Sequence, residues 1–513
     1  MPKLETTLWD AADNLRENSG LSPHDYASPV LGLIFLKFAD IRFTRATEEI
    51  KKEGRTPNKD RYHAKRVIYL PKDTNYEFLL HQSENANIGK LLNGAMDKVE
   101  ENNEDLRGIL PRDFQLVEKE VLFDLIRSFN NIPMETDEDM FGRIYEYFLG
   151  KFALTEGQGG GAFYTPSWIV KLIVNVIEPL EGKVFDPACG SGGMFVQSAE
   201  FIKAHKKNIT GLAIYGQEKD SKTMKLAKMN LAIHGLPGDI KEGNTYYQDI
   251  HESVGKFDYV MANPPFNTDN QDPERIYNMQ RFPFGLPTTA NGSGITQNGG
   301  NSLWAQIFYS ALSEKGRAGF VMANGASTAS GTQAQIRQKL IETGHVDAII
   351  ACPSNLFYNV TVPCTLWFYD KGKPETRKDT VLFIDARNIF EQIDAAHKKF
   401  SDAQIEFLSN IVRLYRMKGI EKKEDSEKFM KTSFPDGKYI NVPGLCKVAT
   451  LGEIKEKGWA LSPGRYIDII EIGPTDEDFG EKMGEFTSRL EEMFTESESL
   501  EKKIKENLKK IGF

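Results

Sequence analysis

The stretch Lys256-Phe257-Asp258-Tyr259-Val260-Met261-Ala262 is a short apolar run that reads as a buried strand, and it stops at Asn263-Pro264-Pro265-Phe266. Two consecutive prolines cannot continue a hydrogen-bonded ladder, and they fix the backbone that follows. The tetrapeptide therefore belongs in a stiff loop at a strand's carboxyl end, where open α/β sheets bind their ligands. The chain around it fits that class. Leu212 to Gly216, Ala318 to Met322 and Val346 to Ile350 read as further strands, and alternating strands and helices fill roughly 162 to 390.

The loop implies a chemistry. Held stiffly, the Asn263 amide and the Pro264 carbonyl offer two acceptors to one point, with Pro265 locking the turn and Phe266 presenting a face for a flat base. An exocyclic amine has two N–H donors for such a pair. Its nitrogen lone pair is delocalised into the ring, and two acceptors pulling on the hydrogens localise it and free it to attack. The reaction implied is methylation of an amino group on a planar ring, adenine N6 foremost. The plain reading is an Asn-Pro turn after a strand.

Two further motifs lie upstream. Val184-Phe185-Asp186-Pro187-Ala188-Cys189-Gly190-Ser191-Gly192-Gly193 reads as a strand ending in a glycine-rich turn that opens a helix running to about Lys203. Glycines let a backbone approach a ligand closely. Phe195 stands where a dinucleotide fingerprint needs its third glycine, which weakens that reading. Asp186 can accept from a ligand ammonium group or order the loop, and Cys189 reads as a small packing residue. The next strand ends at Glu218, the position at which α/β nucleotide binders hold ribose hydroxyls. Before the strand, Gly159 to Gly161 lead into Ala162-Phe163-Tyr164-Thr165-Pro166-Ser167. Thr165 reads as a helix N-cap and Pro166 as a first-turn residue. The free N–H groups of that helix could hold a carboxylate.

These blocks, in this order, resemble S-adenosylmethionine-dependent adenine N6 methyltransferases of the gamma arrangement. More narrowly, the chain resembles modification (M) subunits of type I restriction-modification systems. Leu8 to Arg16 and Leu31 to Phe38 match that family's N-terminal helical region, and Leu382 to Ala386 and Leu461 to Tyr466 match its late motifs. The resemblance implies an α/β fold: a Rossmann-like methyltransferase core with a mostly helical N-terminal domain and a helical C-terminal tail. It places Gly161, Ala162, Phe163, Tyr164, Thr165 and Pro166 at the cofactor's methionine end, Gly190, Ser191, Gly192 and Gly193 against its backbone, and Glu218 on its ribose. Asn244 stands where relatives often carry an acid, and an Asn can still bond an adenine amine. Asn263, Pro264 and Phe266 would hold a target adenine flipped out of the duplex. The implied partners are a specificity (S) subunit, a restriction (R) subunit, a second M subunit in a complex of two M subunits with one S subunit, and duplex DNA.

Composition narrows the rest. A net charge of −9 argues against tight unaided DNA binding and fits a subunit that receives DNA from a partner. Four cysteines, none in C-x-x-C spacing, argue against structural zinc and a disulfide framework, so no metal is expected. No apolar stretch approaches membrane-spanning length and Met-Pro-Lys-Leu-Glu is no signal peptide, so the protein is expected in the cytoplasm. The expected organisation is a helical domain over 1–155, the catalytic domain over 156–395, a mixed, partly helical region over 396–474, and a coiled-coil helix over 475–513. Gly157 to Gly161 reads as the hinge, and Gly285 to Asn301 as a mobile loop beside the target pocket or a surface insertion. In the tail, Phe479, Met483, Phe486, Leu490, Met493, Leu500 and Ile504 fall at steps of four and three with one polar break. That spacing needs a covering helix, either the specificity partner's or one on the chain's own body. Rival readings are an RNA or protein-glutamine methyltransferase, a non-catalytic scaffold and, more distantly, a dehydrogenase.

Overall fold

The computed structural model describes residues 4–19, 23–133, 138–155, 165–205, 211–276, 279–290, 292, 294–357, 363–394 and 397–468, with a few positions beyond. Residues 1–467 form one compact unit and 468–513 a second.

The eleven strands of the described residues are β1 (Gly182–Asp186), β2 (Leu212–Glu218), β3 (Gly238–Glu242), β4 (Phe257–Ala262), β5 (Leu312–Ala323), β6 (Val346–Ala351), β7 (Cys364–Asp370), β8 (Thr380–Asp385), β9 (Glu391–Gln392), β10 (Lys398–Lys399) and β11 (Cys446–Thr450). Nine of them make one sheet, in the order β11-β8-β6-β7-β5-β4-β1-β2-β3, and β9 and β10 pair separately. Strands β1 to β5 run parallel, β7 lies antiparallel between β5 and β6, β8 is parallel to β6, and β11 closes antiparallel on β8. The sheet grows outward from β1 through β2 to β3, then returns to place β4 on the other flank of β1. The switch point of the topology therefore lies between β1 and β4, and the crevice at their carboxyl ends is the expected ligand site.

Every residue of β6 and β7 is buried, as expected of interior strands covered on both faces. The β3 edge is short, charged and exposed except at Ile240, a pattern that discourages pairing with other chains. Helix Ser167–Ile177 lies against β5 and carries Ile169, Leu172, Ile173 and Val176 at 0 to 1% exposure. Each such side chain contributes about 1.5–3 kcal/mol by leaving water.

The N-terminal region is helical, as expected, with Leu4–Ser19, Pro23–Lys52, Ile88–Asn102, Lys119–Asn130 and Glu138–Thr155 as its longer helices. The early motifs that resemble the M-subunit family serve packing here. Trp9 meets Phe148 and Phe152 edge-on at 5.3 and 5.0 Å, and Leu31, Phe35 and Phe38 are buried in the same core. The separate mixed region expected over 396–474 does not stand apart. Helix Asp402–Tyr415 packs on Ser167–Ile177, and β11 extends the catalytic sheet by five paired residues. The two late motifs meet each other, with Tyr466 stacked on Phe383 at 4.0 Å and 11°. The hinge at Gly157 to Gly161 and most of the apolar stripe in the tail lie outside the described residues; Met483 and Met493 are described, and both are exposed.

Candidate active site

The turn after β1 is held by its own backbone and by side chains from neighbouring elements. Asp186 Oδ1 accepts from the Ala188 N–H at 3.0 Å, and the Gly192 N–H donates to the Cys189 carbonyl at 2.8 Å. Asn230, on helix Ser221–Ile233, donates from Nδ2 to the Ser191 carbonyl at 2.9 Å. Gly190 and Gly192 sit at φ 52° and 81°, where a side chain strains the backbone. A Cβ on Gly192 would meet Ala227 at ordinary contact distance, whereas one on Gly193 would meet nothing within 4 Å. A Cβ on Gly190 would likewise meet nothing within 4 Å, so the open part of the glycine loop is at Gly190 and Gly193, and Gly192 is there for its conformation. Cys189 is buried, with its thiol pushed well up by burial and then by Asp186 and Glu218, which fits packing and not nucleophilic chemistry.

At the tip of β2, Glu218 accepts from the Gly190 N–H at 3.0 Å and from the Asp220 N–H at 2.9 Å. The carboxylate thus braces the glycine loop, and an ionised carboxylate has further acceptor sites for a ribose. Asn244, beyond β3, accepts from the Tyr246 N–H at 3.1 Å, so its side chain shapes the turn.

The loop after β4 carries the most telling arrangement. Asn263 Nδ2 donates to Thr165 Oγ1 at 2.9 Å, while Asn263 Oδ1 is buried and without a hydrogen-bond partner. Thr165 was expected to cap the helix; the cap position belongs to Pro166, and no side chain bonds the first turn. The hydroxyl is engaged instead by a residue 98 positions away. Phe266 packs edge-on to Phe357, centroids 6.3 Å apart. One step on, Asn267 and Asn301 exchange two bonds, Asn267 N–H to Asn301 Oδ1 at 3.0 Å and Asn301 Nδ2 to Asn267 Oδ1 at 2.9 Å. The described part of the 285–301 stretch is tied down at its end by these bonds, and by the Asn298 N–H to Asp269 at 2.6 Å.

A cleft enclosing about 530 Å³, mouth included, opens at the switch point. Of the expected residues it takes Thr165, Asp186, Gly190, Ser191, Gly193 and Asn263 as walls. Pro166, Gly192, Glu218, Asn244, Pro264, Pro265 and Phe266 are not among them, and Gly161 to Tyr164 lie outside the described residues. Three polar side chains not singled out in the sequence complete it: Glu146, Gln197 and Asn230. They sit on helices, where an isolated acid or amide gives no signal. Burial pushes the Asp186 carboxyl well above its ordinary value, and the nearby Glu218 adds to this against the Ala188 bond. Burial likewise pushes Glu146 up to about 7, with Glu200 adding to it and Gln197 and Lys171 opposing. Among the described residues, no cluster of His, Cys, Asp or Glu could hold a metal, and no helix is long and apolar enough to cross a membrane.

Comparison with known proteins agrees with this geometry. A family model for N-6 DNA methylases matches residues 136–474, and one for the HsdM N-terminal domain matches 4–129. The MjaIX type I restriction enzyme methylase subunit of Methanocaldococcus jannaschii is 38% identical, over 100% of this chain and 92% of that relative. The HindI methylase subunit of Haemophilus influenzae is 36% identical over 83% and 94%. Among solved structures, a type I restriction-modification methyltransferase subunit from Streptococcus thermophilus superposes with a TM-score of 0.71 at 21% identity, covering 91% of this chain and 99% of that one. From the glycine turn, the Asn-Pro-Pro-Phe loop at the switch point and these matches, the chain belongs to the N-6 DNA methylase family, among the methylase subunits of type I restriction enzymes.

Proposed function

We propose that the chain methylates adenine N6 in duplex DNA with S-adenosylmethionine, as the modification subunit of a type I restriction-modification complex. The observation that carries this is the orphaned Asn263 Oδ1 in the cleft. A buried acceptor without a partner costs roughly 1–3 kcal/mol, a cost that a substrate N–H relieves.

The residues fit the donor. Gly193 leaves room for close approach, and Asp186 presents a carboxyl. The start of helix Ser167–Ile177 lines the same cleft through Ser167, so its first N–H groups suit a carboxylate. When bound, S-adenosylmethionine supplies an electrophilic methyl group. The protein's part is to prepare the amine. Thr165 Oγ1 accepts from Asn263 Nδ2, which leaves Asn263 Oδ1 available to the amine. The oxygen accepts an N6 hydrogen and localises the lone pair. Phe266, braced by Phe357, offers a face to the flipped base. Positioning supplies most of the rate. Sequence specificity is assigned to a specificity subunit that docks on the C-terminal helix, with a second modification subunit and a restriction subunit completing the assembly.

The test is Asn263→Ala in the full chain with its specificity partner. Cofactor affinity should stay near the parent value while DNA methylation falls by orders of magnitude, because the lost acceptor acts on the amine in the transition state. Methylation at near the parent rate removes Asn263 from the assigned role.

A further inference from the structure

The cleft holds more acceptors than the chain satisfies. Asn230 is 1% exposed; its Nδ2 is engaged by the Ser191 carbonyl, and its Oδ1 is buried with no partner. Asp186 contributes a carboxyl with one oxygen on the Ala188 N–H. Glu146 contributes a second carboxyl, hydrogen-bonded by Gln197. All three line the one cleft, beside Gly193 and the start of helix Ser167–Ile177. The charged groups facing Glu146 are Glu200, from the helix Gly193–Ala204, and Lys171, from Ser167–Ile177. The Lys171 ammonium is itself bound to Asp402 at 2.9 Å. Cys189 and Asp186 complete the titratable walls of the cleft.

An ammonium group has three donors and one positive charge. Two carboxyls and an amide oxygen suit it, and they suit no anion. We propose that Glu146, Asp186 and Asn230 form the receptor for the α-ammonium group of the methyl donor, an inference that rests on the function proposed above. Glu146 is the informative member. It stands on helix Glu138–Thr155, whose Phe141, Tyr145 and Phe148 are buried in the N-terminal helical core. The helical region thereby closes the donor's amino-acid end, while the sheet holds the rest.

Protons follow. Without an ammonium, Glu146 is protonated below about 7; binding a cation requires the ionised form and releases that proton. Affinity should rise with pH through about 7, by about tenfold between pH 6 and 8 for Glu146 alone, and Asp186, whose carboxyl burial also pushes up, adds to the rise.

The experiment uses the full chain and two probes in calorimetry, S-adenosylhomocysteine, which carries the ammonium, and 5′-methylthioadenosine, which lacks the amino-acid end. Glu146→Gln keeps the shape and the Gln197 contact. It should weaken S-adenosylhomocysteine at pH 8 by tenfold or more, flatten its pH profile, and leave methylthioadenosine within about twofold of the parent. Glu146→Asp should regain part of the loss. Equal weakening of both probes, which a merely structural role produces, overturns the proposal, and so does unchanged S-adenosylhomocysteine binding. A parent chain that binds neither probe overturns the cofactor reading itself, a separate outcome visible before any variant is made.

Discussion

Asn263 could be read from its neighbours because two prolines fix its loop locally, whatever the rest of the chain does. Thr165 could not. Its position before a proline suits a cap, but the hydroxyl found a tertiary partner in Asn263. That bond makes a prediction. Thr165→Val should leave the fold intact and lower methylation by about tenfold, through an Asn263 amide free to turn, and Thr165→Ser should restore most of it. Single-turnover rates for the three proteins decide this; equal rates for Val and Ser would show the bond to be idle. The glycines separate in the same way. Gly193→Val should abolish donor binding with little change in melting temperature, since its side chain enters open space. Gly192→Val should lower the melting temperature, because a non-glycine residue in left-handed backbone costs about 1–2 kcal/mol. Calorimetry beside thermal unfolding distinguishes the two, and a Gly193→Val protein that binds the donor normally would empty the cradle of meaning. Glu146 and Asn230 were invisible beforehand, as polar residues on amphipathic helices look alike until the cleft is seen.

At the scale of elements, strands with local signals were found where expected: β1, β2, β4, the second half of β5, and β6. β7 and β11 were not; β11 pairs antiparallel with β8, far back along the chain. What ties the late helix to the sheet is a buried charge network. Asp347 on β6 bonds Arg416, just past helix Asp402–Tyr415, at 2.8 Å, and Arg377 at 2.8 Å. Burial alone would raise the Asp347 carboxyl, but Arg416, Lys373 and Arg377 outweigh it and hold the group down at about 2. Its folded value is depressed, so its stabilisation is complete above the unfolded value near 3.8 and is lost as pH falls toward 2. Asp347→Asn strands two buried cations and should destabilise by about 3–5 kcal/mol at pH 7. The difference from the parent should shrink between pH 4 and 2. Denaturant titration at both pH values checks it, and a constant difference would exclude the ion pair as its source.

For the whole molecule, the four-part division was only partly legible. The catalytic core claims both the helix before the expected hinge and the region after 396, whose strand and helix complete its layers. The tail remains a second unit, from 468 onward. Deleting residues from Glu477 should leave a folded, donor-binding chain that no longer joins its specificity partner, and Leu490→Asp with Met493→Asp should mimic the deletion by placing charge in the seam. Size-exclusion chromatography with the partner is the measurement. Persistent assembly at normal affinity would move the docking surface elsewhere.

The four cysteines are free and buried, and Cys189 lines the cleft proposed for the donor, within the glycine turn. A thiol so placed is a built-in reporter of breathing. It can react with a maleimide only when the loop opens, and its rate counts those openings. A bound donor should slow Cys189 selectively and leave Cys352, Cys364 and Cys446 at the pace of global unfolding, so the enzyme's commitment to its cofactor becomes readable as a mass shift, with no DNA in the tube.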